Sequence, residues 1–403
     1  MRSNGLTLLN FLLLGNSILI GWNSVISSLD FFITKFDQPN LPFFMVIPCN
    51  IATIMFNLLI GNIAKYINPY YRIVFGLFFL AISLILFPIS AIVFSNYLGY
   101  WIFLLLNFVA NAFLVIVQCS VLALVSAFPN DCMTWLNAGF SVSGVLITLT
   151  RIILLCIFDE SDQYNLICML IYYGISFLFV ILSLFVFVKF HKEIEKEKRE
   201  LKINTDILSE GETQENFLSE NIEKSDKIEK REDEHFFKLF WSCIKEAFPY
   251  SILMFILYSQ TFFSFPGLAL GYNKLNSSKA WNEVILVMLM NCFDLIGRYS
   301  VAFNLFATKV SCSVFVNLRF LFCITFSLLY FQIDFSLINN NYFCIINMIL
   351  FAFTHGYSNC ILFIKGPDIF KNKKKKEIAE YMMAFSMNIG MTVGSLLALA
   401  ISY

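Results

Sequence analysis

"NCFDLIGRY", residues 291–299, lies inside a run over 281–306 that otherwise reads as apolar helix, yet it carries an acid and a base. A bilayer core about 30 Å thick takes about 20 mostly apolar residues per helix. A charge at the centre of such a helix costs about 2.5–3.5 kcal/mol on insertion scales. At about 100° per residue, Asn291, Asp294 and Arg298 project from one stripe of the helix. That stripe cannot face lipid, so its helix belongs in a bundle with a polar interior or an aqueous cavity.

Composition agrees with a membrane protein. The chain is 58% hydrophobic and 14% charged, with a mean hydropathy of +0.73, whereas soluble domains carry about 25% charged residues. Apolar runs of spanning length recur at approximately 6–32, 42–67, 72–94, 98–128, 133–157, 165–190, 245–271, 281–306, 312–332, 341–364 and 379–402. The expected fold is therefore an all-α integral membrane protein of eleven transmembrane helices. The first run has only Arg2 as a basic flank and contains Trp22 and Asn23, so it reads as a retained helix rather than a cleaved signal.

Basic residues near span ends stay cytoplasmic. With the N-terminus inside, Arg2, Lys65, Arg72, Lys309, Lys365, Lys371 and Lys373 to Lys376 fall inside, and Lys35, Lys274 and Lys279 outside; the C-terminus is then outside. Residues 191–240, opening "HKEIEKEKRE", form a charged cytoplasmic linker, expected to be disordered beyond a helical extension in which Glu and Lys recur three and four apart. It divides a six-helix bundle, 1–190, from a five-helix bundle, 241–403. Carriers built from two related bundles hold substrate between them near the midplane. "KNKKKK" at 371–376 reads as a topology signal or an anionic-lipid patch.

Balanced charge, 28 basic against 28 acidic residues, excludes a nucleic-acid binder acting through bulk positive charge. The 11 cysteines are scattered with no CxxC pair, so no metal site or disulfide framework is indicated, and no cofactor. With no GxxxxGK[ST] motif, ATP is not the energy source. An enzyme reading needs a second catalytic group at the depth of His355, and none stands out, so no catalytic residue is assigned. Partners are then membrane lipids and a small molecule, with a monomer expected.

Asp294 and Arg298 admit two readings: a neutralising pair that ties helices together, or an acceptor and a planar fork of donors offered to a polar ligand. Trp22 and Gln118 lie near the centres of the first and fourth spans and could add a stacking face and a carboxamide; packing and interhelical hydrogen bonding are the plainer roles. Asn23 and Asn291 are supporting residues. His355 could take part in a proton step, although a neutral imidazole donating to a backbone carbonyl is the simpler expectation. Arg151 is expected to reach outward to Asp159 or Glu160. Gly139, Gly144, Gly390 and Gly394 suggest close helix contacts, and Pro266 with Gly267 a broken helix near an outer gate.

"GWN" at 21–23, Gln118 in "IVQCS", "NCFDLIGRY" with its Asn-x-x-Asp-x-x-x-Arg spacing, "FAFTHGY" at 351–357 and "MMAFSMNIGMTVGS" at 382–395 together resemble the equilibrative nucleoside transporters, in particular their protozoan branch. The resemblance covers most of the chain. It implies a fold similar to the major facilitator group with one helix fewer, and facilitative transport of purine nucleosides or nucleobases by rocking of two bundles. It also implies that Gln118 reads the base edge and that Asp294 and Arg298 meet the ribose, with Trp22 in the central cavity. Position 355 departs from the family's usual Asn. A proton-coupled purine carrier, or a carrier of another small polar solute, remains the alternative, and the plasma membrane is the expected location.

Overall fold

The computed structural model describes residues 5–38, 41–158, 162–209, 225–270, 279–303, 308–331 and 341–402, and among these it is helical without a strand. Fourteen α-helices follow in order: α1 Gly5–Ser27, α2 Leu29–Phe36, α3 Leu41–Phe44, α4 Val46–Tyr66, α5 Pro69–Val93, α6 Asn96–Val125, α7 Asn130–Ile157, α8 Asp162–Ser209, α9 Ser225–Phe263, α10 Lys279–Ser300, α11 Lys309–Leu318, α12 Phe320–Tyr330, α13 Asn341–Asp368 and α14 Lys373–Ser402. Local chemistry sets several of their ends. Asn68 accepts from the Tyr70 amide and Pro69 opens α5, where a missing N–H costs nothing. The Thr308 side chain caps α11 by accepting from the Ser311 amide.

Nine of the described helical segments are long and apolar enough to cross a membrane, so the chain is a multi-pass integral membrane protein. Eleven were expected. The second expected span holds only a shorter apolar segment, Val46–Ile60, within α4. The eighth is not among the nine; its helix α10 carries Lys279, Glu283, Asp294 and Arg298 in 22 residues.

Two boundaries differ from the sequence reading. The first span does not run to residue 32: α1 ends at Ser27 and the separate helix α2 begins at Leu29. The charged connection is helical at both ends, with α8 reaching Ser209 and α9 starting at Ser225; Lys and Glu recurring three and four apart support such extensions. Residues 210–224, and with them the middle of the expected linker, lie outside the described residues, as do Arg2, Asp159, Glu160 and Lys274.

Helices α1 to α8 precede the connection and are called here the N-terminal half; α9 to α14 form the C-terminal half. Within the first, α1 packs along α7, α5 along α6 and α8, and α4 along α6; within the second, α9 packs along α14 and α10 along α13. Glycines make these seams close. A Cβ on Gly139 would run into the Leu12 carbonyl oxygen, and one on Gly390 or Gly394 into the carbonyls of Phe255 or Ser259. The halves meet mainly where α7 packs on α10 and where α14 packs on α6 and α4. At the end of α9 the helical ladder is interrupted as expected: Ser264–Leu268 is a π-helical turn in which Phe265 is extended (φ −131°, ψ 137°), next to Pro266.

Candidate functional site

The stripe of α10 faces α7, not lipid. Asn291 Nδ2 donates to Thr148 Oγ1 at 3.1 Å, Ser141 Oγ donates to Asp294 Oδ2, and Arg298 Nη1 donates to Asn137 Oδ1 at 3.1 Å. Three polar pairs thus run antiparallel along one seam between the halves. Gly144 lies in the same seam, where a Cβ would meet the Asn291 carboxamide. The complementary stripe was present in the sequence, since Asn137, Ser141, Gly144 and Thr148 recur at four, three and four residues.

Asp294 and Arg298 are both buried and form an i,i+4 ion pair, with Nε 2.8 Å from Oδ2. The guanidinium fork is otherwise spent on amides. The Asn359 carboxamide, turned with its oxygen toward Arg298, accepts from Nη1 at 2.6 Å and Nη2 at 3.2 Å and donates to the Tyr258 hydroxyl at 3.0 Å. Arg298 therefore braces α10 against α7 and α13, which is the tying role that sequence allowed. The carboxylate is less complete. Oδ2 takes two donors, whereas Oδ1 is buried without a hydrogen bond to the described residues.

His355 Nε2 stands 4.0 Å from that Oδ1. Its Nδ1 lies 3.0 Å from Thr261 Oγ1, so the imidazole is held by a side-chain hydroxyl rather than by the expected backbone carbonyl. Thr261 is engaged on its other side by Arg319, whose Nη2 donates to Oγ1 at 2.9 Å. Arg319 was not singled out from the sequence, although "VNLRFLF" carries a lone charge in the ninth apolar run. It occupies the break between α11 and α12 and is almost fully buried. Its Nη1 donates to the Phe351 carbonyl at 2.7 Å and the Thr354 hydroxyl at 2.5 Å, and its guanidinium lies 4.7 Å from the Phe351 ring centroid. Backbone and hydroxyl acceptors with a π-face take the place of a carboxylate here.

A cavity of about 200 Å³ opens between the halves, an order of magnitude more than one water needs. Trp22, Asn23, Gln118, Asn291, Asp294, Arg298 and His355 all line it, joined by Ser141, Tyr258, Thr261 and Asn388. The cavity has apolar stretches from Phe262, Phe265, Met290 and Met391. Asn23 is tied to α7, its Nδ2 donating to Ser143 Oγ at 2.8 Å. Gln118 is buried and makes no hydrogen bond to the described residues, so its carboxamide is open to whatever fills the space. Trp22 also borders a void of about 30 Å³ shared with Asn111 and Leu114, so its indole is a partition between the two spaces.

Arg151 has its expected outward partners, Asp159 and Glu160, outside the described residues. Its Nη2 lies 2.6 Å from Asp30 Oδ2 on α2 and 3.8 Å from Glu283 Oε2 on α10. Arg151 follows Gly144 and Thr148 by seven and three residues, so it continues the stripe that faces α10 and turns inward.

Residues 104–403 match the family model described as nucleoside transporter. The chain belongs to the nucleoside transporter family. Members of this family are membrane transporters, not enzymes. Equilibrative nucleotide transporter 4 of Arabidopsis thaliana is 21% identical over 402 residues, covering 95% of this chain and 92% of that protein. Equilibrative nucleotide transporter 3 of the same plant is 20% identical over 72% of this chain and 69% of its own length. Nucleoside transporter 1.2 of Leishmania donovani is 24% identical over 40% of the chain and 31% of its length. Among solved structures, a major facilitator superfamily proton:xylose symporter superposes with a TM-score of 0.63 at 10% identity, covering 97% of this chain and 86% of that one. A bacterial homologue of the iron transporter ferroportin does so at 0.62 and 12%, covering 100% and 93%. These last two likenesses speak to the fold of this nucleoside transporter family member, which is similar to that of the major facilitator group.

Proposed function

We propose that the chain is a facilitative carrier of purine nucleosides or nucleobases that works by alternating access. The observation that carries this reading is that seven residues chosen from sequence converge on one cavity whose polar groups suit a flat, nitrogen-rich ring bearing hydroxyls. The base stacks on Trp22 and is read along its edge by the open Gln118 carboxamide. The ribose side lies against Asp294, while Arg298 holds that carboxylate in place. Asn23 and Asn291 shape the wall.

In this reading α4 and α10 also cross the bilayer, giving eleven spans split six and five by the charged connection, with the N-terminus inside and the C-terminus outside. The halves rock about the seam between α7 and α10, where the three polar pairs keep register. The π-helical turn at Ser264–Leu268 serves as part of the outer gate. The carrier acts as a monomer, in the plasma membrane.

Uptake of labelled adenosine and labelled adenine into proteoliposomes, with and without an imposed pH gradient, tests this. Saturable adenosine uptake indifferent to the gradient is the expected result. Preference for adenine would overturn the ribose assignment, and gradient-driven accumulation would replace facilitated by proton-coupled transport. Transport of neither would remove purines as cargo.

A further inference from the structure

The half-satisfied carboxylate and the imidazole beside it form a unit whose chemistry can be specified. Thr261 Oγ1 accepts from Arg319 Nη2, and its own proton can go to His355 Nδ1 at 3.0 Å or to the Leu257 carbonyl at 2.8 Å. Electrostatics decides between the two. If Thr261 donates to Leu257, a neutral His355 carries its proton on Nδ1 and turns the Nε2 lone pair toward Asp294 Oδ1, 4.0 Å away, so that lone pair faces carboxylate. If Thr261 donates to Nδ1, the proton sits on Nε2 and faces the carboxylate instead. The second arrangement is favoured, and an imidazolium would present the same Nε2–H. Arg319 and Thr261 are then positioning residues for that tautomer.

A gap of 4.0 Å is too long for a direct hydrogen bond. It suits one bridging oxygen: an atom about 2.8 Å from both ends sits about 2 Å off the line joining them, with an angle of about 90° at the oxygen. Such an atom must donate to Oδ1 and accept from Nε2–H. A hydroxyl does both; a carbonyl cannot donate, and an ammonium or a ring N–H cannot accept. Oδ1 is covered in this structure, so the hydroxyl enters as the imidazole turns about its Thr261 bond, which holds Nδ1 while Nε2 moves.

We propose that Asp294 Oδ1 and His355 Nε2 together grip a single ribose hydroxyl, making His355 a specificity residue that favours nucleosides over bases and deoxynucleosides. The proposal rests on the purine-carrier reading above. Removing one neutral hydrogen bond changes affinity by about two- to tenfold.

The test is competition against labelled adenosine uptake in proteoliposomes by adenosine, 2′-deoxyadenosine and 3′-deoxyadenosine. Wild-type protein should show one deoxy analogue weaker by about tenfold or more. His355→Ala should shrink that ratio by about two- to tenfold while leaving the affinity of the weak analogue unchanged. Thr261→Val, which keeps the shape and deletes the hold on Nδ1, should shrink it in the same direction, and His355→Gln, which restores a donor, should return part of it. Should His355→Ala fail to reach the membrane, Thr261→Val and His355→Gln carry the test. Equal weakening of adenosine and both analogues by His355→Ala would overturn the proposal, as would wild-type uptake indifferent to both hydroxyls. Either of those results leaves the purine-carrier reading standing. Absence of any nucleoside uptake by wild-type protein would refute both.

Discussion

The wall of the cavity contributed by α1, α4, α6 and α7 is neutral, whereas that contributed by α9, α10, α13 and α14 carries Asp294, Arg298 and His355. The neutral wall presents Trp22, Asn23, Asn111 and Gln118, and it leaves Gln118 without a hydrogen bond to the described residues. The charged wall is nearly closed on itself. Arg298 is matched by one carboxylate and two carboxamides, and His355 is backed through Thr261 by Arg319. The contrast follows from desolvation. An unpaired amide in a dry site costs a few kcal/mol, and an unpaired charge far more. Open hydrogen-bonding capacity is therefore affordable on the neutral side, while on the charged side the Asp294–Arg298 pair leaves one carboxylate oxygen without a donor and the Asn388 amide nitrogen lacks an acceptor among the described residues.

The harshest way to break this arrangement is Asp294→Ala. It leaves Arg298 buried without a countercharge, and removing one member of such a pair destabilises by about 3–5 kcal/mol. The variant should lose most of its thermal stability in detergent and its membrane yield. Asp294→Asn keeps the shape and leaves Asn137 and Asn359 bound to Arg298. It should fold, while uptake normalised to membrane content falls by about two orders of magnitude, as expected when a charged hydrogen-bonding site is neutralised. Equal loss of yield and uptake in the Asn variant would reduce Asp294 to a folding role.

Glycines sharpen the comparison next. A Cβ on Gly356 would strike the Asp294 carbonyl oxygen, a backbone atom inside the charged half, whereas one on Gly144 first meets the movable end of Asn291. Gly356→Ala should therefore destabilise by about 1–3 kcal/mol, read as a lowered unfolding temperature, and Gly144→Ala by clearly less. Similar losses from both would mean that the α7–α10 seam is as rigid as the α10–α13 seam. On the neutral wall, Gln118→Ala deletes no hydrogen bond to the described residues. Its stability should stay within about 0.5 kcal/mol of wild type, while the ranking of adenosine, guanosine and inosine as competitors changes by about two- to tenfold.

The same contrast explains what the sequence disclosed. Asp294 and Arg298 stood out because single charges in an apolar run are conspicuous, and their spacing placed them on one face. Their acceptors did not stand out. Asn359 and Tyr258 are small polar departures in helices that pack without any matching period, and their role depends on how α9, α10 and α13 come together. Arg319 was as visible as Asp294, but lacking an acid at helical spacing it suggested no partner; Thr261, Thr354 and the Phe351 carbonyl come from other helices. Helix positions were legible from apolar run length. The break after Ser27 was not, because α2 continues the apolar pattern without a proline or glycine to mark the boundary.

Arg151 gives the smallest and most discriminating effect. Its Nη2 is 2.6 Å from Asp30, which belongs to its own half, and 3.8 Å from Glu283, which belongs to the other. Asp30 is half-exposed, so its contact is worth at most about 1 kcal/mol, or roughly fivefold in an equilibrium, and the Glu283 oxygen at 3.8 Å is too far for a hydrogen bond. The two carboxylates nevertheless compete for one nitrogen, and only one of them links the halves. Asp30→Asn should strengthen the Arg151–Glu283 contact and favour the state in which α7 and α10 stay together at this end, whereas Glu283→Gln should favour their separation. The reactivity of a single cysteine placed at Asn50, on the cavity wall formed by α4, toward a membrane-impermeant thiol reagent should accordingly move in opposite directions in the two variants. Changes of the same sign would mean that Arg151 acts as a local anchor for α2 rather than as a link between the two halves.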